Sequence, residues 1–376
     1  MKKVLARPLY LFFLLMIFPL SVSFAATSKQ IRLAIFDNPQ PDPSKNIDSQ
    51  FINSYLAGVN TAITVAASKG ICITEKYFFH TNNLANIIQQ ASNAKAWKPD
   101  VIVGLSTSND FLMSKAFFGD QVILSISATD QALATLPSGF YSLGIPDTNA
   151  VNAMIKFISQ YAPNSNLFIT AAAESKESVD FANLLAKEYK IKYKDKRVTE
   201  KKFLTEDMNQ MDFSKFMSGY QKNDVIAVLS IGYDSAIDLM NKINKYLAPN
   251  KPIFITPTDN WGNSTSAQNM NGEYDAFRID TFSGEENTKN YKIFFDNYKK
   301  IYHALPKDKI SFVTYQAVMS FVEAMLKYPN HISTTKVSLL KSYAHALKNN
   351  SNWYRLPHYM IYKIQNKKEI YFDKIN

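Results

Sequence analysis

The chain has 376 residues, 46% of them apolar and 20% charged, and 42 Lys and Arg against 32 Asp and Glu give a formal net charge of +10. The positive excess is spread along the chain. Its densest stretch, residues 187–202, interleaves acids with lysines, which fits a solvated face and argues against a nucleic-acid surface. A single cysteine excludes an internal disulfide, so stability has to come from packing.

Residues 1–25 read as a cleaved signal peptide. Lys2, Lys3 and Arg7 precede an apolar run from Leu9 to Leu20, and small residues at Ser23 and Ala25 suit a peptidase. The run is shorter than the roughly 20 residues of a spanning helix, and Pro19 interrupts it. There is no cysteine at the cleavage point, so a lipoprotein is excluded and a periplasmic product is expected. About 350 residues remain, which predicts two domains.

Strand-length apolar runs then alternate with helical patterns, as in an α/β protein built on parallel sheets. Strands are predicted at 31–36, 72–79, 100–105 and 121–126, with helices over 53–68 and 84–94. Cys72 lies in the apolar run GICI and is expected to be a buried thiol. The rhythm restarts with strands at 167–172, 224–230 and 252–256 and helices over 178–189 and 235–246. Between the two series, residues 140–151 form an extended crossing, a natural hinge. A second crossing is expected near 275–282, followed by helices over 289–302 and 312–327 that return to the first domain. The chain closes with a hairpin over 359–372, turning at Asn366. The expected fold class is α/β, with two doubly wound parallel-sheet lobes joined by a three-segment hinge. Residues 26–146 plus 278–330 form the first lobe, and 147–277 plus 331–376 the second.

Ligands of parallel α/β sheets sit beyond the carboxyl ends of strands. Five polar loops fall there: residues 105–110, 127–130, 173–175, 232–234 and 258–262. In the first two, hydroxyl residues stand at the positive end of a following helix and favour an anion, although the same residues also serve as N-caps. Asp259 can face an ammonium or be a turn residue, Tyr233 can offer a ring or a hydroxyl or be an ordinary packed aromatic, and Trp261 can close over a ligand or pack in a wall. The five histidines show no metal-ligand spacing, and no nucleophile elbow or phosphate-cradling loop appears. Neither a cofactor nor a catalytic centre is expected.

Four stretches carry a resemblance over nearly the whole mature chain. These are DVIVGLSTSND, VILSISATDQALATLPSGFYSLGIPDTNAV, KPIFITPTDNWGNS and FFDNYKKIYHALPKDKISFVTYQAVMSFVEAM. Their order resembles the type I periplasmic solute-binding proteins of branched-chain amino-acid ABC transporters, the leucine-binding-like family. The resemblance implies that Ser106, Thr107 or Ser108, with Ser127 and Thr129, hold a ligand carboxylate. It places Asp259 against an ammonium and Tyr233 near a family aromatic. It implies a small amino-acid-like or amide solute, a membrane permease as partner, no nucleic acid and a monomer. The first loop, FDNPQPDPSKNIDSQ, and the stretch AAAESKES depart from the family pattern. Those departures keep open a sensing or protein-interaction module on the same fold. A hydrolase stays open only because spatial triads do not show in sequence.

Overall fold

The structure is a computed structural model that describes residues 29–38, 48–81, 83–105, 107–119, 121–130, 140–144, 146–230, 233–257, 268–271, 274–280, 289–306, 310–327, 359–365 and 367–375. The expected leader, Ser106, Asp259, Trp261 and the turn residue Asn366 lie outside the described residues, and of Tyr233 only the backbone is described.

The first sheet is parallel throughout. It contains β1 (Lys29–Asp37), β2 (Ile71–Phe79), β3 (Val101–Gly104), β4 (Ile123–Ser125) and β5 (Phe140–Ser142), in the order β2-β1-β3-β4-β5. Strand β1 is apolar on both faces because both are covered. Ile31, Leu33 and Ile35 pack with α1 (Asp48–Ser68), whereas Ala34 and Phe36 join α2 (Leu84–Ala96) and α3 (Ser108–Phe118).

The second sheet repeats that order. Helix α4 (Asp147–Tyr161) leads into β6 (Leu167–Ala172), α5 (Lys176–Lys192), β7 (Val198–Phe203), the single turn α6 (Phe213–Phe216), β8 (Val225–Leu229), α7 (Tyr233–Leu247), β9 (Ile253–Pro257) and β10 (Asp275–Asp280). These five strands run β7-β6-β8-β9-β10. The closing hairpin, β11 (Tyr359–Gln365) and β12 (Lys368–Ile375), adds two antiparallel strands beyond β10. The two strands occupy the hairpin span expected from the sequence and extend past it to Ile375.

Two late helices, α8 (Lys289–Tyr302) and α9 (Ile310–Lys327), return to the first sheet, as expected. Phe294, Phe312, Tyr315 and Phe321 share one buried core with Leu33, Ile35, Val59 and Ala62. Helices α1 and α9 meet at Gly58, where an added Cβ would lie 2.3 Å from the Ser311 carbonyl oxygen. Only a residue without a side chain permits that approach.

The pattern misses β7 and α6, and residues 140–142 and 275–280, expected as parts of two crossings, are instead strands β5 and β10 of the two sheets, β10 paired with both β9 and β11. Strand β7 lies within the lysine-rich stretch assigned to solvated surface, and it is a half-exposed edge strand, so both descriptions hold for those residues. The expected burial of Cys72 is corrected: the thiol is exposed. Strand β2 is the sheet edge, with Ile71 and Ile73 facing the core around α1 and Cys72 and Thr74 on the other face. On that other face only Phe78, near the carboxyl end, is buried with α2.

Candidate functional site

In both sheets the order reverses beside the first strand, between β1 and β3 and between β6 and β8. Crevices at such reversals, beyond the strand carboxyl ends, are where open α/β sheets bind ligands. The loops selected from the sequence after β3, β4, β6, β8 and β9 all leave those ends.

The first loop begins with two residues of positive φ, Gly104 (133°) and Leu105 (52°). A Cβ at Gly104 would stand 2.2 Å from the Phe36 carbonyl oxygen, so β1 and β3 approach too closely there for any side chain. The Leu105 N–H donates to that same carbonyl at 3.0 Å. Thr107 then caps α3, its hydroxyl oxygen accepting the Asp110 N–H at 3.1 Å. A threonine hydroxyl that accepts one bond still has its proton to donate, and Thr107 is exposed.

Ser108 has a different role. It is buried, and its Oγ accepts the N–H of Thr129 at 3.1 Å and that of Asp130 at 3.2 Å. It therefore ties the loop after β4 to the first turn of α3. The Thr129 carbonyl in turn accepts the Asp147 N–H at 3.0 Å, which joins that loop to the start of α4. Two serines that sequence reasoning missed complete the scaffold. Ser125 Oγ donates to the Leu105 carbonyl at 2.7 Å and accepts the Ala128 N–H at 2.9 Å, and Ser142 Oγ donates to the Ala128 carbonyl. The structure thus brings Thr107, Ser108 and Thr129 together. Ser127, two residues before Thr129, is exposed on the same loop.

The second sheet uses the same device. Ser175 caps α5 by accepting the Ser178 N–H, and the buried Ser178 Oγ accepts the Ala172 N–H at 3.0 Å and donates to the Leu229 carbonyl at 2.7 Å. Strands β6 and β8 are so fixed at the reversal point. Glu174, in the loop after β6, is exposed, and its Oε1 accepts the Thr205 N–H at 2.9 Å.

Strand β1 ends in Asp37, which is buried at the reversal. Burial pushes the Tyr55 hydroxyl well above the usual phenol range, and the negative charge of Asp37 adds to that shift. The only signal for this pair in the sequence is an acid closing an apolar strand. A second acid, Asp110, is buried in the first turn of α3. It offsets the positive helix end, so an anion here would depend on hydroxyls more than on the helix dipole. Among the described residues, no three His, Cys, Asp or Glu side chains gather as a metal site.

No protein-family model matches the sequence, and no curated protein matches it. Solved structures do match in fold. A leucine-binding protein of Thermotoga maritima is 14% identical with a TM-score of 0.70, over 92% of this chain and 99% of that one. A branched-chain amino-acid transporter substrate-binding protein of Streptococcus pneumoniae, in complex with isoleucine, is 14% identical with a TM-score of 0.68, over 92% of this chain and 100% of that one. A solute-binding protein of an ABC transporter from R. palustris, in complex with benzoate, is 7% identical with a TM-score of 0.69, over 92% of this chain and 96% of that one. The fold is that of the type I periplasmic binding proteins, as the sequence resemblance implies.

Proposed function

We propose that this chain is the periplasmic solute-binding component of an ABC transporter, and that it captures a small amino-acid-like or amide solute between two lobes. The observation that carries the proposal is the pair of sheets with one strand order, each with serine-fixed loops at its reversal point. The fold shared with proteins that hold isoleucine and benzoate supports it. Residues 278–280, expected in the first lobe, belong to β10 of the second sheet, so the first lobe is taken as residues 26–146 with α8 and α9, and the second as 147–280 with the closing hairpin. The leader, residues 1–25, is removed on export. The protein works as a monomer that presents its closed form to a membrane permease, without catalysis or a cofactor.

Within the cleft, the hydroxyls of Ser106, Thr107, Ser127 and Thr129 hold the carboxylate. Ser108 contributes by fixing the Thr129 amide. Asp259 from the second lobe meets the ammonium, and Tyr233 offers its ring. Because the solute touches both lobes only when they close, it binds the closed form more tightly and shifts the population toward it.

The test is thermal unfolding of residues 26–376 against amino acids, short amides, polyamines and small peptides, after unfolding and refolding to remove any bound solute. A solute at a hundredfold its Kd stabilises the folded state by about 2.7 kcal/mol, enough to raise the midpoint measurably. Thr129→Ala or Asp259→Ala should abolish the shift of whichever compound gives one. A flat panel would sink the proposal, and an unchanged shift in both variants would sink the residue assignment.

A further inference from the structure

The backbone of the loop after β4 is bonded to four elements, and one of them belongs to the other lobe. The Ala128 N–H donates to Ser125 Oγ in β4, and the N–H groups of Thr129 and Asp130 donate to Ser108 Oγ in α3. The Ala128 carbonyl accepts the Ser142 hydroxyl from β5. The Thr129 carbonyl, in contrast, accepts the Asp147 N–H at 3.0 Å. Asp147 opens α4, whose Val151, Met154, Ile155 and Ile158 are buried in the core of the second sheet. That last hydrogen bond therefore joins the two lobes.

A helix leaves its first N–H groups without partners inside the helix, and a Ser, Thr, Asp or Asn side chain just before it normally accepts from them. Helix α4 instead follows Pro146, which has no such side chain. An acceptor comes from the first lobe, as the Thr129 carbonyl. The chain that crosses between the lobes runs along the same loop. The Leu143 N–H donates to the Ser125 carbonyl at 2.9 Å, and a Cβ added to Gly144 would lie 2.3 Å from the Ala128 carbonyl oxygen. Crossing and loop thus pack as one unit, with α4 at its end.

We propose that Asp147 is a positioning residue: its backbone amide sets the Thr129 loop against the second lobe, so that the loop is a working part of the hinge and its displacement turns α4. A solute held by the Thr129 hydroxyl is then felt directly at the pivot. That consequence rests on the function proposed above, whereas the coupling between loop and lobe angle does not. Coupling of this kind is reciprocal. Removing the second-lobe anchor loosens the loop, and loosening the loop from the first-lobe side frees the angle between the lobes.

The experiment needs no solute. Asp147→Pro deletes the donor at the first helical position, where proline is well tolerated, and the Pro146 ψ of 140° suits a following proline. Asp147→Ala removes the same side chain and keeps the donor. In leaderless protein, hydrogen exchange of peptides covering Ala128, Thr129 and Asp130 should be about fivefold faster in the Pro variant than in the Ala variant, the loss of one hydrogen bond. Exchange within α4, at residues 150–161, should be the same in both. Lobe angle is read in a Cys72→Ser background from spin labels at the exposed positions Lys115→Cys in α3 and Lys187→Cys in α5. The distance distribution should broaden in Asp147→Pro, and also in Ser108→Ala, which frees the loop without touching the second lobe. A loop that exchanges no faster in the Pro variant than in the Ala variant would overturn the proposal. So would a distribution in Ser108→Ala as narrow as the native one. Acceleration shared equally by α4 would also overturn it, since the bond would then serve the helix alone. Broadened distances beside a flat thermal panel would leave the hinge coupling standing and remove solute capture.

Discussion

Ser108 and Thr107 are adjacent hydroxyl residues that the fold uses differently. Thr107 caps its own helix and is exposed, while Ser108 is buried and accepts two amides from a loop about 20 residues away. Removing a buried acceptor leaves its donors unsatisfied, so Ser108→Ala should lower unfolding free energy by about 1–3 kcal/mol in a urea titration. Ser127→Ala, at an exposed position, should stay within about 0.5 kcal/mol. At Gly104 an alanine would face both a φ of 133° and a carbonyl oxygen 2.2 Å from its Cβ. The expected loss for Gly104→Ala in the same titration is about 3 kcal/mol or more, and a near-neutral result would show that β1 and β3 separate easily. The sequence shows that hydroxyls gather in these loops, because Ser and Thr precede helices there. Which hydroxyl serves the backbone is hidden, since that depends on loops distant in sequence.

At the scale of elements, long periodic segments are legible and short or edge segments are not. Helices α1, α5, α7, α8 and α9 and strands β1, β6 and β8 follow their apolar patterns. Strand β5 has only three residues, and β7 is a lysine-rich edge that buries little beyond Phe203. Cys72 departs from its expected burial for a related reason: an apolar run does not reveal that its strand is an edge with one face partly uncovered. The exposed thiol should react with Ellman's reagent in native buffer at the rate of a small-molecule thiol, and acceleration by denaturant would contradict its placement. The contact of α8 with the first core depends on Phe294, which is fully buried against Phe312 and Tyr315. Phe294→Ala should cost about 3–5 kcal/mol by urea unfolding.

Across the whole molecule, tyrosines buried in both lobes set an alkaline limit. Burial first, then Glu75 and Tyr302, pushes the Tyr77 hydroxyl up to about 12, and burial with Tyr193, Asp195 and Asp224 does the same for Tyr189. Tyr274, Tyr315 and Tyr359 are raised further, chiefly by burial. In the unfolded chain these phenols ionise near pH 10. The folded state therefore retains protons that the unfolded state loses. Stability should be unaffected by these groups below about pH 10 and should fall from there through about pH 12, with phenolate absorbance rising together with unfolding. Absorbance rising well before unfolding would show the hydroxyls to be accessible. The same whole-molecule view bears on synthesis. The first sheet begins near residue 29, yet its core is completed by Phe294, Phe312 and Phe321. As the chain emerges from its amino end, α1 and the face of β1 and β3 beneath it must wait, half built, until some 200 further residues have been added. The second lobe can meanwhile form all but its last hairpin. The lobe that starts first should thus be among the last to mature, and the long-lived apolar face of that intermediate marks where a chaperone would be needed.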